Sequence, residues 1–324
     1  MRRVLGVVLT GLGAFFLVLA LLFRFYLPSQ VIKFPLNEYS VSDLTGTNVT
    51  YFSDQTLAEV TGATVRAAST VQGDVAAGSS STAVWNDVTG VFDITSGPSP
   101  GTPIAYSSER IAFDRRSGLV VNCCGAEIGT KKVTMSGQEF VWPIGTQKKN
   151  YQIFDTTLLK PETVKFTGTS TVNGMNVDVF VEHVDSQQFK TVSLPGSLVG
   201  LTSQSTVTLP EDLTATNTFY VDPASGSPLK LVENQTEFLR NPSTGAAALT
   251  LLHGTLTTTP KTIAAAVSTA KSSDTEIAWV QDIGPLIGGL LGLLLLVLGI
   301  VLLIGQYEEY YEYEEEGAEL PAGA

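Results

Sequence analysis

The chain has 324 residues, of which 44% are hydrophobic and only 15% charged. A soluble domain usually carries about a quarter charged residues, so this polypeptide is short of charge. Its formal net charge of −12 excludes nucleic acid as the main partner. Two Cys and two His exclude a disulfide scaffold or a His/Cys metal cluster, and no cofactor is expected.

The apolar residues sit at the two ends. Val4 to Phe23 is a run of twenty residues without a charge, long enough as a helix to span about 30 Å of bilayer core. Arg2 and Arg3 precede it, and Phe23, Arg24, Phe25, Tyr26 and Leu27 follow in place of a small-residue cleavage site. It therefore reads as an uncleaved signal anchor rather than a removed signal peptide. Ile283 to Ile304 is equally uncharged and reads as a second spanning helix. The positive-inside rule keeps Arg2 and Arg3 in the cytoplasm. The expected organisation is a signal-anchor helix over 1–26, an extracytoplasmic β-rich domain over 27–282, a transmembrane helix over 283–304 and an acidic cytoplasmic tail over 305–324. Both termini then lie in the cytoplasm of a two-pass protein of the cell membrane. The net charge divides into +3 before Leu27, −8 in the large loop and −7 in the tail. The Glu/Tyr tail is a candidate contact for a cytoplasmic partner; a solvated tail is the alternative. Its final LPAGA lacks the order of a wall-sorting signal, which places its motif before the apolar segment.

Between the spans the texture is rich in Thr, Ser, Gly and Val with period-two alternation, the mark of strands. Val164–Val172 and Met175–Val184 flank Asn173-Gly174, a strong hairpin signal, with Val177, Val179 and Val181 on one face and Asp178, Phe180 and Glu182 on the other. Asp114-Arg115-Arg116-Ser117-Gly118 and Asp222-Pro223-Ala224-Ser225-Gly226 read as two further hairpin turns, opened by Asp and closed by Gly. Ser53 to Val60 is expected to form two helical turns capped by Ser53. Thr259-Pro260 is expected to start a longer helix with Ile263, Ala264, Val267 and Ala270 on one face. The fold class is mainly β (α+β): a large antiparallel β ectodomain between N- and C-terminal transmembrane helices.

Chemistry-bearing constellations are sparse. Cys123 and Cys124 are adjacent and form a candidate vicinal disulfide; two buried thiols or an intermolecular bond are the alternatives. His183 and His253 lack any nucleophile or metal motif around them and read as hydrogen-bonded structural residues. The doublets Lys131-Lys132 and Lys148-Lys149 are candidate contacts for an anionic headgroup, with a lysine-protected strand edge as the alternative. Asn48-Val49-Thr50 and Asn234-Gln235-Thr236 fit the glycosylation sequon by composition. No catalytic motif is present, and a non-enzymatic role is expected, although 24 Asp and Glu lie in the loop and a carboxylate-based hydrolase is the weaker alternative.

The stretch Trp142-Pro143-Ile144-Gly145-Thr146-Gln147-Lys148-Lys149-Asn150-Tyr151, followed by Phe154-Asp155, together with FDRRSG, VNCCG and YVDPASG, resembles the uncharacterised actinobacterial PorA-family membrane proteins over nearly the whole chain. Those motifs carry no assigned chemistry. The family label suggests a porin, whereas two uncharged apolar helices and polar strands do not read as a membrane-spanning barrel. The resemblance further implies a topology similar to class B scavenger receptors, whose outer domain carries lipid through a tunnel. By that analogy the β domain, with an expected apolar interior, binds or passes a membrane lipid or lipoglycan at the cell envelope. A non-enzymatic envelope scaffold is the alternative.

Overall fold

A computed structural model describes residues 2–96 and 101–316 and, in the last helix, side chains as far as Ile304. The rest of the acidic tail, including LPAGA, lies outside the described residues. The chain divides into two units, Met1–Lys33 with Ser273–Ala324, and Phe34–Ser272.

The first unit is helical. Helix α1 covers Arg2–Phe25 and a short helix α2 covers Leu27–Val31. Helix α3, Pro260–Ala278, belongs to the second unit as far as Ser272 and to this one from Ser273; it ends in a π-helical turn at Trp279–Ile283, from which α4 runs over Gly284–Glu316. The helix α1 and the segment from Pro260 to Ile304 are long and apolar enough to cross a membrane. Helices α1 and α4 approach each other through glycines. A Cβ on Gly13 would stand 2.5 Å from the Leu296 nitrogen, and one on Gly299 would stand 2.5 Å from the Thr10 nitrogen. Small residues let apolar helices pack backbone to backbone where no hydrophobic drive separates protein from lipid. Gly11, by contrast, faces open space. Arg24 and Asp282 form an exposed ion pair at 2.9 Å.

The second unit is one antiparallel sheet of eleven strands. In chain order these are β1 Tyr39–Ser53, β2 Ala58–Gly73, β3 Thr82–Asp93, β4 Thr102–Asp114 and β5 Glu127–Ile128. There follow β6 Tyr151–Asp155, β7 Lys160–Val172, β8 Met175–Leu194, β9 Val207–Val221, β10 Pro228–Arg240 and β11 Ala247–Thr258. The spatial order is β5-β4-β3-β2-β1-β11-β10-β9-β8-β7-β6, so two meanders are joined by the pairing of the first strand with the last.

The sheet curls until its two ends are joined by backbone hydrogen bonds. The Val121 amide donates to Ala112 of β4, the Val120 amide to Gly137, the Gln138 amide to Gln152 of β6, and the Phe154 amide to Gln138. One short stretch of the β4–β5 connection, at Val120 and Val121, and one of the β5–β6 connection, at Gly137 and Gln138, thus stand in for a missing strand at that level.

Turn chemistry behaves as the sequence implies. Asn173 and Gly174 take φ of 46° and 79°, the two positive values a primed hairpin turn requires. The Asp114 and Asp222 carboxylates each accept from the backbone amide three residues on, at 2.8 Å, and Gly118 and Gly226 have positive φ. Ser53 to Val60 is different. It forms a tight turn between β1 and β2, with Ser53 paired to Ala58 and the Leu57 amide donating to the Ser53 carbonyl at 2.8 Å. Cross-strand pairing on both sides leaves no room for two helical turns. Helix α3 starts at Pro260 as expected, but packs through Ile263, Ala266, Val267 and Ala270, while Ala264 is exposed. These residues cover Val177, Tyr220 and Leu229, which defines the outer face of the sheet there.

Candidate functional site

The inner face follows from the register. Val164 of β7 stands beside Glu182 of β8, Glu182 beside Asn217 of β9, Asn217 beside Glu233 of β10, and Glu233 beside Leu256 of β11. One step along the barrel, Phe166, Phe180, Phe219 and Leu231 form the next row. The alternation read from β8 is therefore present, and its acid-bearing face is the buried one: Asp178, Phe180 and Glu182 are 2%, 0% and 3% exposed. His183 and His253 point to the other face, where each ring bonds a threonine hydroxyl, at 3.0 Å to Thr216 and 2.8 Å to Thr236. That outer face also carries Thr214, Thr218, Asn234, Thr255 and Thr257, which is not the apolar band of a membrane-spanning barrel.

The inner face is split in character. On β1, β2 and β11, Val49, Tyr51, Ala63, Val65 and Leu256 form an apolar stretch. On β7 to β10, Glu162, Glu182, Asn217, Glu233, Gln235 and Glu237 form a polar one, with Asp155 beside it on β6. An interior apolar throughout is therefore not what the fold builds. The Asn217 amide donates to Glu182 Oε2 at 2.7 Å, yet Glu182 Oε1 and Asn217 Oδ1 accept nothing from the protein. Burial pushes Glu182 up to about 7; the Asn217 hydrogen bond opposes this, and the charges of Asp155, Glu162 and Glu233 add to it. Burial likewise pushes Glu233 up to about 7, although part of its surface stays accessible. Glu237 and Asp155 are raised by burial first, Glu237 also by neighbouring Glu211.

A second carboxylate group lies on β3, β4 and the β5–β6 connection. Asp87 accepts from the Ser69 and Thr89 hydroxyls. Beside it in register is Glu109, which shares a hydrogen bond with Glu139. Burial and the nearby carboxylates hold Glu139 well above the usual carboxylate range. Next to Glu139, Phe140 and Val141 enter the cluster of Phe34, Trp85 and Phe113, and Trp142 packs on Phe180 and Phe219. The connection thus fills one part of the interior with aromatic rings.

The lysine doublets sit on different elements. Lys131 and Lys132 are exposed in the turn after β5, where the Lys131 amide donates to the Ile128 carbonyl at 3.0 Å. Lys149 places its ammonium 5.3 Å from the Tyr151 ring centre. Lys148 lines a pocket of about 480 Å³ beside the β7–β8 hairpin, together with Thr169, Thr171, Asn176, Asp178 and Pro223. The Asp178 carboxylate, raised by burial and drawn down by Lys148, is a functional candidate that the sequence offered only as a strand residue. Cys123 and Cys124 are joined as a disulfide between neighbours, with Cys124 at φ +61°. Arg110 ties this turn down by donating to the Cys124 carbonyl at 3.0 Å and pairing with Asp74 at 2.8 Å. Among the described residues no group of three or more His, Cys, Asp or Glu is arranged to hold a metal ion.

Two bilayer-length apolar helices and a large curled β unit define a membrane protein. The chain belongs to the Porin PorA family, whose model matches residues 5–301. No curated protein matches the sequence.

Proposed function

We propose that this protein is a non-enzymatic binding protein of the cell envelope, anchored at both ends, whose β unit holds or passes a lipoglycan or similar lipid. In this reading Arg2 and Arg3 keep both termini in the cytoplasm and the β unit stands outside. The observation that carries it is the divided inner face. The apolar stretch, through its partly exposed members Ala67, Val91 and Leu252, suits an acyl chain, and the row Glu182, Asn217 and Glu233 suits hydroxyl donors. Two acceptors in that row, Glu182 Oε1 and Asn217 Oδ1, have no protein donor, and a buried acceptor left unpaired costs about 1–3 kcal/mol. A sugar hydroxyl relieves that cost. The charged phosphate of an anionic phospholipid head meets these carboxylates, so a neutral glycosylated lipid fits better. The test is to purify the full chain from its native membrane and identify co-purifying lipid by mass spectrometry. A glycosylated lipid enriched over bulk membrane is expected; a bound-lipid profile equal to that of the membrane refutes the reading.

A second reading follows from the family's description as a porin: the carboxylate row lets cations through the β unit. Planar-bilayer conductance with Glu182→Gln and Glu233→Gln decides it. Loss of cation preference in the variants supports it, and absence of conductance in the wild type refutes it.

A further inference from the structure

The pocket beside the β7–β8 hairpin lies apart from the row of Glu182 and Glu233. In register, Thr169 stands beside Asp178 and Thr171 beside Asn176. The β6–β7 pairing ends at Tyr151 with Val164, so this part of β7 is not covered by β6. Lys148 arrives from the β5–β6 connection and Pro223 from the β9–β10 turn. The volume of about 480 Å³ falls within the roughly 300–1,000 Å³ of small-molecule sites.

Its chemistry restricts the occupant. Asp178 is 2% exposed and its Oδ2 accepts no hydrogen bond from the protein. A buried carboxylate oxygen in that state requires a donor. The exposed Lys148 ammonium can donate to an acceptor, and the Thr169, Thr171 and Asn176 side chains can both give and take hydrogen bonds. A phosphate or carboxylate offers acceptors only and meets both Asp178 and nearby Asp222, whose charge already acts on Asp178. An ammonium offers donors only and meets Lys148. A hydrocarbon leaves Asp178 unsatisfied. A polyhydroxylated ring donates and accepts from neighbouring hydroxyls and has an apolar face for the Pro223 ring.

We propose that this pocket is a saccharide-binding site in which Asp178 accepts from a ring hydroxyl and Lys148 donates to its neighbour. The proposal deepens the lipoglycan reading, on which it rests only for where the sugar comes from. The sugar is either the head of a membrane glycolipid or a free saccharide.

Saturation-transfer NMR on the full chain in detergent micelles, with D-glucose, D-mannose and D-arabinose as probes, tests the site. Inorganic phosphate and ethanolamine serve as the acceptor-only and donor-only controls. Binding of at least one sugar with a Kd of about 1 mM is expected. Asp178→Asn and Lys148→Ala should each weaken it roughly tenfold, with neither control competing. Thr171→Val, at an exposed position, should weaken it too, and it keeps the test decisive if the Asp178 variant does not fold. Failure of all three sugars, binding indifferent to the substitutions, or displacement by phosphate or ethanolamine overturns the proposal. Lipid analysis of the same preparations separates the two readings. Sugar binding without a co-purifying glycolipid leaves the pocket and removes the lipoglycan reading. A glycolipid that stays bound in Asp178→Asn, with no sugar binding, does the reverse.

Discussion

Glu182 makes the β unit less stable as pH rises, and Glu182→Gln should remove that penalty. The carboxyl is 3% exposed and its ionisation is pushed from 4.5 up to about 7. Between those values the folded protein holds a proton that the unfolded chain has already released. The stability this carboxyl contributes is therefore complete below about pH 4.5 and is lost as pH climbs towards 7. A shift of that size corresponds to about 3 kcal/mol. For a unit of this length that amounts to roughly 6–12 °C in Tm. Gln copies the protonated carboxyl in shape and cannot ionise. At about pH 5 the variant should match the wild type, and at about pH 8 it should melt higher by an amount of that order. Differential scanning calorimetry in detergent, at closely spaced pH values, reads the difference directly. A variant no more stable than wild type at the alkaline end refutes the argument that Glu182 is buried against its own charge. So does a wild-type Tm that climbs across this window, because Glu233 shifts in the same direction.

Gly226→Ala should cost about 2 kcal/mol or more, seen as a lower denaturation midpoint, because φ is +77° and the new Cβ would lie 2.3 Å from the Trp142 carbonyl oxygen. Trp142→Ala should cost about 3–5 kcal/mol in the same assay, since the ring is 1% exposed between Phe180 and Phe219. In the helical unit, Ala20→Cys with Gly288→Cys should oxidise readily, because their Cβ positions are 3.5 Å apart. Adding Gly13→Leu, which drives a side chain into the Leu296 backbone, should abolish that crosslink on a non-reducing gel.

Much of the fold is legible where one local rule decides the outcome. The apolar runs at both ends, the Asn173-Gly174 turn and the paired Asp-to-Gly turns at Asp114 and Asp222 each rest on a few adjacent residues, and each forms. Ser53 to Val60 misleads because capping chemistry and tight-turn chemistry use the same serine, and long-range pairing of β1 with β2 decides between them. The carboxylate row is a different kind of omission. Alternation along β8 puts Asp178, Phe180 and Glu182 on one face, but which face is enclosed depends on the curl of the whole sheet. That curl is closed by a relay of hydrogen bonds that runs from Ala112 through Val121, Val120, Gly137 and Gln138 to Phe154. Lys148 could be picked out as one of two adjacent cations; its relation to Asp178 exists only once the β5–β6 connection has been laid beside the β7–β8 hairpin.

The pairing of the first strand with the last governs the order in which this sheet assembles. Leu44 stands beside Thr258, so the central seam joins residues more than two hundred positions apart, whereas nearly every other strand pair is a neighbour in sequence. The arms β1 to β5 and β6 to β11 form from local hairpins, but the seam waits for the whole segment to be made, and late non-local contacts slow folding. Until then each arm carries its own share of the inner face. The carboxylates of β7 to β10 remain hydrated and ionised, and help keep a half-built sheet in solution. They take up protons only when the seam closes around them. Closing the seam is therefore a proton-consuming step, favoured as pH falls.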